Sequence, residues 1–316
     1  MRFVKKIKLY IRYYFIIFIG LIKYDFQKNQ LLVFNYHNFN HSENVTNEMF
    51  VNYNNFKNQI LYFQQRKILT SINVFENNKN NNTKKILLTI DDADISLEKL
   101  LPIIKQEDIN IILFLPIGFV LDKSDINYYR SICLHHYFFI NKGKNLKQSN
   151  TKFFDDIMNF DIDELKKIIN NLTIQHTNKD YVIERKKLSL DLIEKLSKFS
   201  NITIGSHSMS HILLKDLPIN WLEWEIKTSL DYIHKFNGNN NIFSLPYGNT
   251  NSYSNEVIKL LVDNKVNHIF TTTNLINKSN NILKGRSFIL NSKNKFYLQG
   301  MINGGSYIFN KIFFKK

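Results

Sequence analysis

Two adjacent carboxylates, Asp91 and Asp92, are among the residues best suited to chemistry in this chain. They follow directly on an apolar, β-favouring run at residues 86–90, and this pattern predicts a buried strand that ends at both carboxylates. Strand ends are where sites are built in α/β folds. At such an end, one Asp can bind a cation while the other transfers a proton. A helix N-cap or an Asx turn is the alternative explanation, because Asp often precedes a helix.

Two histidines, His207 and His211, follow a second β-like run at residues 202–204. A spacing of four places both imidazoles on one face of a helical turn, which suits a divalent transition metal with two nitrogen ligands. Surface histidines also meet this spacing by chance. One carboxylate and two histidines with open coordination positions, however, are typical of a catalytic metal site. The two strand-end segments therefore complement each other in ligand type.

These segments resemble the motifs of the polysaccharide deacetylases, the NodB-homology domain of carbohydrate esterase family four. Asp91 and Asp92 after a β-run are similar to the family's T-F-D-D-G motif, and residues 207–211 (HSMSH) match its H-[ST]-x-x-H motif. Residues 243–248 (FSLPYG) resemble its R-P-P-Y-G motif. The order and spacing of the motifs agree, and the similarity covers roughly residues 31–290 with one long insertion.

The resemblance implies an α/β fold, a distorted (β/α) barrel of the NodB-homology type. The sequence itself favours parallel strands, because β-like runs alternate with helical patterns. The predicted strands are residues 31–36, 86–90, 110–115, 202–204, 242–244, 267–271 and 287–290. We therefore predict a catalytic domain over residues 31–316.

A largely helical insertion is predicted at about residues 121–187. The segment is aromatic and contains little Gly or Pro, so its composition favours helices over a linker. An insertion that leaves a strand near the site is placed to act as a lid or a substrate platform; a neutral elaboration is the alternative. Its adjacent histidines, His135 and His136, are assigned to no metal because no third ligand matches them nearby.

The family's mechanism implies a role for each motif residue. Three residues would hold a divalent metal, most often zinc: Asp92, His207 and His211. The metal would activate a water molecule and polarise the acyl carbonyl, and Asp91 would be the general base. Tyr247 and Pro246, with nearby backbone N–H groups, would contact the substrate and stabilise its oxyanion.

The sequence departs from the family's pattern at several positions. Ala93 replaces the glycine of the first motif, a small change expected only to tighten the turn. Ser244 stands where many members have an arginine that orients the base; Arg286 is the candidate substitute, unless it is an ordinary surface arginine. No Leu-x-His follows near the C-terminus. The pair Tyr36-His37 fits a branch with permuted motifs, so His37 is predicted to be the general acid.

The implied reaction is metal-assisted amide hydrolysis that releases acetate from an amino sugar. The substrate would be an N-acetylated cell-surface polysaccharide or its lipid-linked precursor. A deformylase or deacylase of a lipid-linked sugar would use the same residues. A non-catalytic carbohydrate-binding relative would be expected to have lost a metal ligand or the base, and this sequence has lost neither.

Composition bears on the partners of the chain. The formal net charge of +15 favours an anionic partner, but the charge is dispersed. No helix-turn-helix, RNP-like or zinc-finger pattern is present, so nucleic-acid binding is not predicted. Cys133 is the single cysteine, which rules out an intramolecular disulfide.

The first 30 residues are predicted to associate with a membrane. The basic residues at the start are Arg2, Lys5, Lys6, Lys8 and Arg12. The uncharged, mostly apolar run at residues 13–22 is about half of the ~20 residues that span a bilayer, and no A-x-A-like cleavage site follows. An uncleaved signal anchor, an interfacial amphipathic helix and a helix packed on the domain are the three alternatives. We predict a peripheral or signal-anchored location, with spanning disfavoured.

Overall fold

A computed structural model of the 316-residue chain describes residues 2–22, 31–41, 49–77, 85–141, 151–174, 186–273, 277–278 and 281–313. Met1 and residues 23–30 of the predicted N-terminal segment lie outside the described residues. Residues 142–150 and 175–185 of the predicted insertion also lie outside them.

Parallel pairing dominates the sheet. The strands in the described residues are β1 (Leu31–Tyr36), β2 (Asn38–Asn40), β3 (Phe50–Asn52), β4 (Lys85–Asp91), β5 (Ile111–Leu115), β6 (Ile202–Ser206), β7 (Ile242–Ser244), β8 (His268–Thr271), β9 (Leu283–Gly285) and β10 (Ser287–Phe288). Eight of them form one sheet in the order β10-β1-β4-β5-β6-β7-β8-β9, and β2 pairs with β3. The pairs β1 with β4, β1 with β10, β6 with β7 and β7 with β8 are parallel. Every residue of β1 and of β5 is buried, as expected for parallel strands covered on both faces.

Helices alternate with these strands. They are α1 (Arg2–Leu21), α2 (Tyr53–Gln64), α3 (Ile72–Asn77), α4 (Leu101–Gln106), α5 (Ile126–Ile140), α6 (Thr151–Asn159), α7 (Ile162–Ile174), α8 (Leu190–Leu196), α9 (Ile219–Glu223), α10 (Ser229–Lys235), α11 (Asn255–Asp263), α12 (Lys295–Ile302) and α13 (Gly305–Phe313). A π-helical turn, Trp224–Thr228, joins α9 to α10. The alternation confirms the predicted α/β class, and all seven predicted strands are present within two residues of their predicted ends. The described part of the predicted insertion contains α5, α6 and α7, so it is helical as predicted.

The chain divides into two compact units. Unit 1 comprises residues 1–90, 96–111 and 272–316, and unit 2 comprises residues 91–95 and 112–271. In unit 1, Gln59 of α2 lies fully buried: its side-chain oxygen accepts from the Tyr36 hydroxyl at 2.9 Å. Its amide nitrogen donates to the backbone oxygens of Leu290 and Ser292. These bonds fix α2 against the carboxyl end of β1. In unit 2, α5 packs on α6 and α7.

Helix α1 packs on α12 and α13 within unit 1. Its buried face includes Ile16 and Ile19, and the buried Arg12 guanidinium donates to the Phe288 backbone oxygen at 3.0 Å and to the Ser306 hydroxyl at 2.9 Å. The first thirty residues therefore include a helix that is packed on one face. Among the residues that the structure describes, no helix combines the length and the apolar character needed to cross a membrane.

The close approach of α1 to α12 depends on glycine. A Cβ added to Gly300 would lie 1.9 Å from the backbone oxygen of Ile16. We expect Gly300→Ala to lower the free energy of unfolding by about 1–3 kcal/mol, because one helix backbone must move away from the other. This loss should appear although alanine favours helix over glycine by about 1 kcal/mol.

Urea unfolding of the full chain would measure the effect, with the exposed Lys295→Ala on the same helix as the control. Equal stability of Gly300→Ala and Lys295→Ala would contradict this packing.

Candidate metal centre

Three buried side chains in unit 2 converge at the carboxyl ends of strands. Asp92 follows β4, His207 follows β6, and His211 lies four residues further on. One donor atom from each of the three lies within 4.8 Å of the others. The structure therefore brings together the three residues that the sequence predicted as metal ligands, on the two strand-end segments that carried the prediction.

His207 is held in the form that can bind a cation. Its Nδ1 atom lies 2.7 Å from the backbone oxygen of Ser244. A carbonyl oxygen only accepts hydrogen bonds, so Nδ1 carries the proton and the neutral ring leaves a lone pair on Nε2. Burial lowers the pKa of His207 to about 4, although Asp91 and Asp92 act in the opposite direction. The imidazole is thus neutral near pH 7.

The donor atoms face one another. The Nε2 atom of His207 lies 3.7 Å from an oxygen of Asp91 and 3.7 Å from an oxygen of Asp92. The Nε2 atom of His211 lies 3.2 Å from the same Asp92 oxygen. The Nε2 lone pair of His207 and the carboxylate oxygens repel unless a positive charge lies between them. The residues present therefore fit a divalent cation, and two imidazoles with a carboxylate suit zinc.

Backbone strain concentrates at this site. Five non-glycine residues of unit 2 near the motifs have a positive φ: Asp92 (73°), Ala93 (51°), Ser208 (65°), His211 (50°) and Tyr247 (62°). A side chain in the left-handed region costs roughly 1–2 kcal/mol. A glycine at the position of Ala93 would be free of that cost. Ala93 adopts this left-handed conformation with its side chain fully buried.

The predicted oxyanion residues lie on the loop after β7. The Tyr247 ring is 5.2 Å from the His211 ring. Pro246, the residue before Tyr247, is buried. Loss of hydration raises the pKa of Tyr247, and the Asp92 carboxylate raises it further. The phenol therefore remains protonated and can donate a hydrogen bond. At the position of the family's arginine, Ser244 contributes its backbone oxygen to His207.

The two remaining predicted residues lie in unit 1. His37 follows β1, is buried, and stacks on the Phe288 ring at 5.3 Å. Arg286 is 1% exposed, and its Nη1 atom donates to the side-chain oxygens of Asn35 and Thr89 at 3.2 and 3.3 Å. The alternative of an ordinary surface arginine is therefore wrong. The roles of His37 as acid and Arg286 as base-orienting residue stay predictions.

Comparison with solved structures identifies the fold. No family model and no curated protein matches the sequence. A deacetylase from Streptococcus pyogenes, PplD, in complex with acetate, is 15% identical with a TM-score of 0.57, over 86% of this chain and 97% of that chain. The polysaccharide deacetylase BC0361 from Bacillus cereus is 13% identical with a TM-score of 0.58, over 87% and 69%. A de-N-acetylase from Aggregatibacter actinomycetemcomitans is 13% identical with a TM-score of 0.56, over 82% and 95%.

The chain has the polysaccharide deacetylase fold. This confirms the predicted (β/α) barrel-type fold of the NodB-homology domain. The branch defined by the Tyr-His pair stays a prediction.

Sequence reasoning missed Glu225, a buried carboxylate that supports the histidine loop of this deacetylase fold. One carboxylate oxygen accepts the backbone N–H groups of Met209 and Ser210 at 3.0 and 2.9 Å. The other accepts the Trp221 indole N–H at 3.2 Å. Burial raises the pKa of Glu225, whereas these hydrogen bonds lower it. The only signal in the sequence is an acidic residue within the apolar stripe of a helix.

Glu225 lies on the π-helical turn, Trp224–Thr228. Such turns are rare and often occur at functional sites. Glu225 is fully buried within this turn. It therefore binds the segment between the two predicted histidine ligands.

A residue of the insertion also binds the backbone of the histidine loop. The Nδ1 atom of His135, on α5, lies 2.7 Å from the backbone oxygen of Ser210 and must donate to it. Burial lowers the pKa of His135 to about 3, so its ring is neutral. Lys187 donates to the backbone oxygen of Asp92 at 2.9 Å. His135 thus binds the histidine loop through the carbonyl of Ser210.

The support by Glu225 predicts an effect on metal affinity. Glu225→Gln replaces the charged acceptor of two backbone N–H groups with a neutral amide, so the loop should be held less firmly. We expect zinc affinity to fall roughly 10- to 100-fold, as for other groups that orient metal ligands. Titration calorimetry with zinc would measure it.

The matched control is Glu223→Gln, two residues earlier. Glu223 is partly exposed and pairs with Lys227 across one helical turn, and such surface pairs contribute little. Zinc affinity equal in the Glu225→Gln and Glu223→Gln variants would show that the carboxylate does not position the loop.

Proposed function

We propose that this protein is a metal-dependent hydrolase that removes the N-acetyl group from an amino sugar of a cell-surface polysaccharide or its lipid-linked precursor. The observation that carries the proposal is the group of Asp92, His207 and His211, buried together beside Asp91 in a fold shared with deacetylases. Two of the similar structures support the chemistry by their names, one as a de-N-acetylase and one as a complex with acetate.

Asp92, His207 and His211 would hold the divalent cation, with zinc as the expected metal. When bound, such a cation lowers the pKa of water towards neutrality and polarises an acyl oxygen. His207 is prepared for this role because its Nδ1 proton is engaged with Ser244 and its ring is neutral. Asp92 and His211 add one oxygen and one nitrogen within 3.2 Å of each other.

Asp91 would act as the general base. It accepts a proton from the attacking water while the water oxygen bonds to the carbonyl carbon. Tyr247, which keeps its proton, would donate a hydrogen bond to the oxyanion that develops. Pro246, on the same loop, would contact the substrate. Cleavage of the C–N bond then releases acetate and a free amine.

His37 would be the general acid that protonates the leaving amine. It is buried and follows β1 directly. In the parallel pairing of β1 with β4, Tyr36, the residue before His37, lies opposite Ile90, the residue before Asp91. Arg286 would orient the base, which is supported by its burial and by its bonds to Asn35 and Thr89 at the ends of the same two strands.

A deformylase or deacylase of a lipid-linked sugar is the second candidate. It rests on the same residues, because the metal group and the base act on the amide and not on the rest of the sugar. A non-catalytic carbohydrate-binding relative is less well supported, since the predicted metal ligands and Asp91 are present and buried.

The proposal is tested by a comparison of two variants, one of the proposed base and one of a proposed metal ligand. The zinc-loaded full chain is assayed for acetate or formate release from a panel of N-acylated glycans and lipid-linked sugars. Asp91→Asn should retain zinc and lose about 100- to 10,000-fold in rate, because it removes a proton-transfer group. Asp92→Asn should lose both zinc and activity. The exposed Asp122→Asn is the control.

Treatment with a chelator should abolish the activity, and added zinc should restore it. Release of acetate that persists with chelator, or in Asp91→Asn, would overturn the proposed function. Binding of glycans without release of any acid would favour the non-catalytic alternative.

The role of His37 has a separate test. His37→Ala should reduce turnover about 100- to 10,000-fold on a confirmed substrate, because the leaving amine loses its proton donor. Zinc content should not change, because His37 is not among the proposed ligands. The comparison variant is His234→Ala, at an exposed position of α10. Near-full activity of His37→Ala would mean that the acid is another residue.

A further inference from the structure

The outer face of α1 carries a continuous apolar stripe. Its large side chains recur every three or four residues, the spacing of one helical face. We call this set the α1 stripe: Ile7, Ile11, Tyr14, Phe18 and Leu21. The exposed fraction is 64% for Tyr14, 57% for Phe18 and 57% for Leu21. Soluble proteins rarely expose so many large apolar side chains side by side.

The packing of α1 fixes the stripe on the outside of unit 1. The opposite face of the helix is buried, with Ile16 fully inaccessible and Arg12 bonded to Ser306. Gly20 and Gly300 bring the backbones of α1 and α12 into contact, because a Cβ at either glycine would meet a backbone oxygen at 1.9 Å. Rotation of α1 to hide the stripe would break these contacts.

The exposed apolar surface continues onto the neighbouring helices. Phe296 at the start of α12 and Ile312 and Phe313 at the end of α13 are also exposed. Both helices pack on α1. Most of the large hydrophobic side chains exposed in the described residues therefore belong to these three helices.

The charge around this surface has one sign. Residues 1–24 and 264–316 contain no Asp or Glu, and both segments contain several Lys and Arg. Four lysines on α1, α12 and α13 are exposed: Lys6, Lys8, Lys295 and Lys311. An anionic surface with an apolar interior complements both properties. A second copy of the same face would bring these lysines towards each other, which opposes a symmetric pair.

We propose that α1 docks on a membrane that contains anionic lipid, lying in the plane of the interface with the α1 stripe among the acyl chains and the lysines at the headgroups. A helix with an apolar face and basic flanks binds in this way without spanning the bilayer. Tyr10, beside the stripe, suits the headgroup level, and the Tyr14 ring can lie among the acyl chains while its hydroxyl group reaches the headgroups. This docking holds the enzyme at a membrane surface and is independent of the metal site.

Vesicle co-sedimentation of the full chain tests the proposal, with phosphatidylcholine vesicles with and without phosphatidylserine. The unmodified chain should bind the anionic vesicles more tightly, and added salt should weaken the binding. Tyr14→Ser/Phe18→Ser should lower the affinity more than tenfold. Lys6→Gln/Lys8→Gln should lower it roughly fivefold for each lysine. The control is Val74→Ser/Val262→Ser, which changes exposed apolar residues elsewhere.

All the changed side chains are exposed, so the urea midpoints of the variants should equal that of the unmodified chain. This comparison shows that each variant is folded. Failure of the unmodified chain to bind either vesicle would overturn the proposal. Equal binding by Tyr14→Ser/Phe18→Ser would also overturn it. The unmodified chain could instead form a dimer in sedimentation velocity, fail to bind vesicles, and lose the dimer in the Tyr14→Ser/Phe18→Ser variant. That result would assign the α1 stripe to a second copy of the chain. None of these measurements depends on deacetylase activity.

Discussion

The hydrogen bond from His207 to the backbone oxygen of Ser244 fixes the chemistry of the whole site. It holds the proton on Nδ1 and points the Nε2 lone pair at Asp91 and Asp92. Burial keeps the ring neutral, so its lone pair and the carboxylates face one another in the interior of the protein. A cation stabilises this arrangement, which is otherwise repulsive. The proposed function rests on this geometry more than on the likeness to deacetylases, because similarity at 12–15% identity establishes the fold alone.

The rest of unit 2 holds two of the three proposed ligands in conformations that the chain does not prefer. Asp92, Ser208 and His211 all lie in the left-handed region, and the cost of each must be met by surrounding contacts. Glu225 binds the N–H groups of the histidine loop from one side, and His135 binds a carbonyl of the same loop from the insertion. The insertion therefore contacts the histidine loop directly, and its role as a lid or substrate platform stays a prediction.

Much of the fold could be predicted from the sequence because long apolar runs and helical stripes are strong local signals. Residues 31–36, for example, are both predicted and observed as a strand. The short strands β2, β3 and β9 were missed, since three residues carry too little pattern. The ligands were predicted because Asp92, His207 and His211 lie on recognisable motifs. Glu225 and Arg286 are buried by tertiary contacts, and the partners of Arg286, Asn35 and Thr89, are distant in sequence. No local pattern could therefore show that Arg286 is in the interior.

The central claim is that Asp92, His207 and His211 together bind one divalent cation, and X-ray absorption at the zinc edge tests it most directly. The zinc-loaded chain should show one zinc per chain with two imidazole nitrogens at about 2.0–2.1 Å and carboxylate or water oxygens at about 2.0–2.2 Å. Substitution of His207 by alanine should remove one imidazole from the spectrum or prevent zinc binding. A spectrum without imidazole ligands, or one that is unchanged in that variant, would contradict the account.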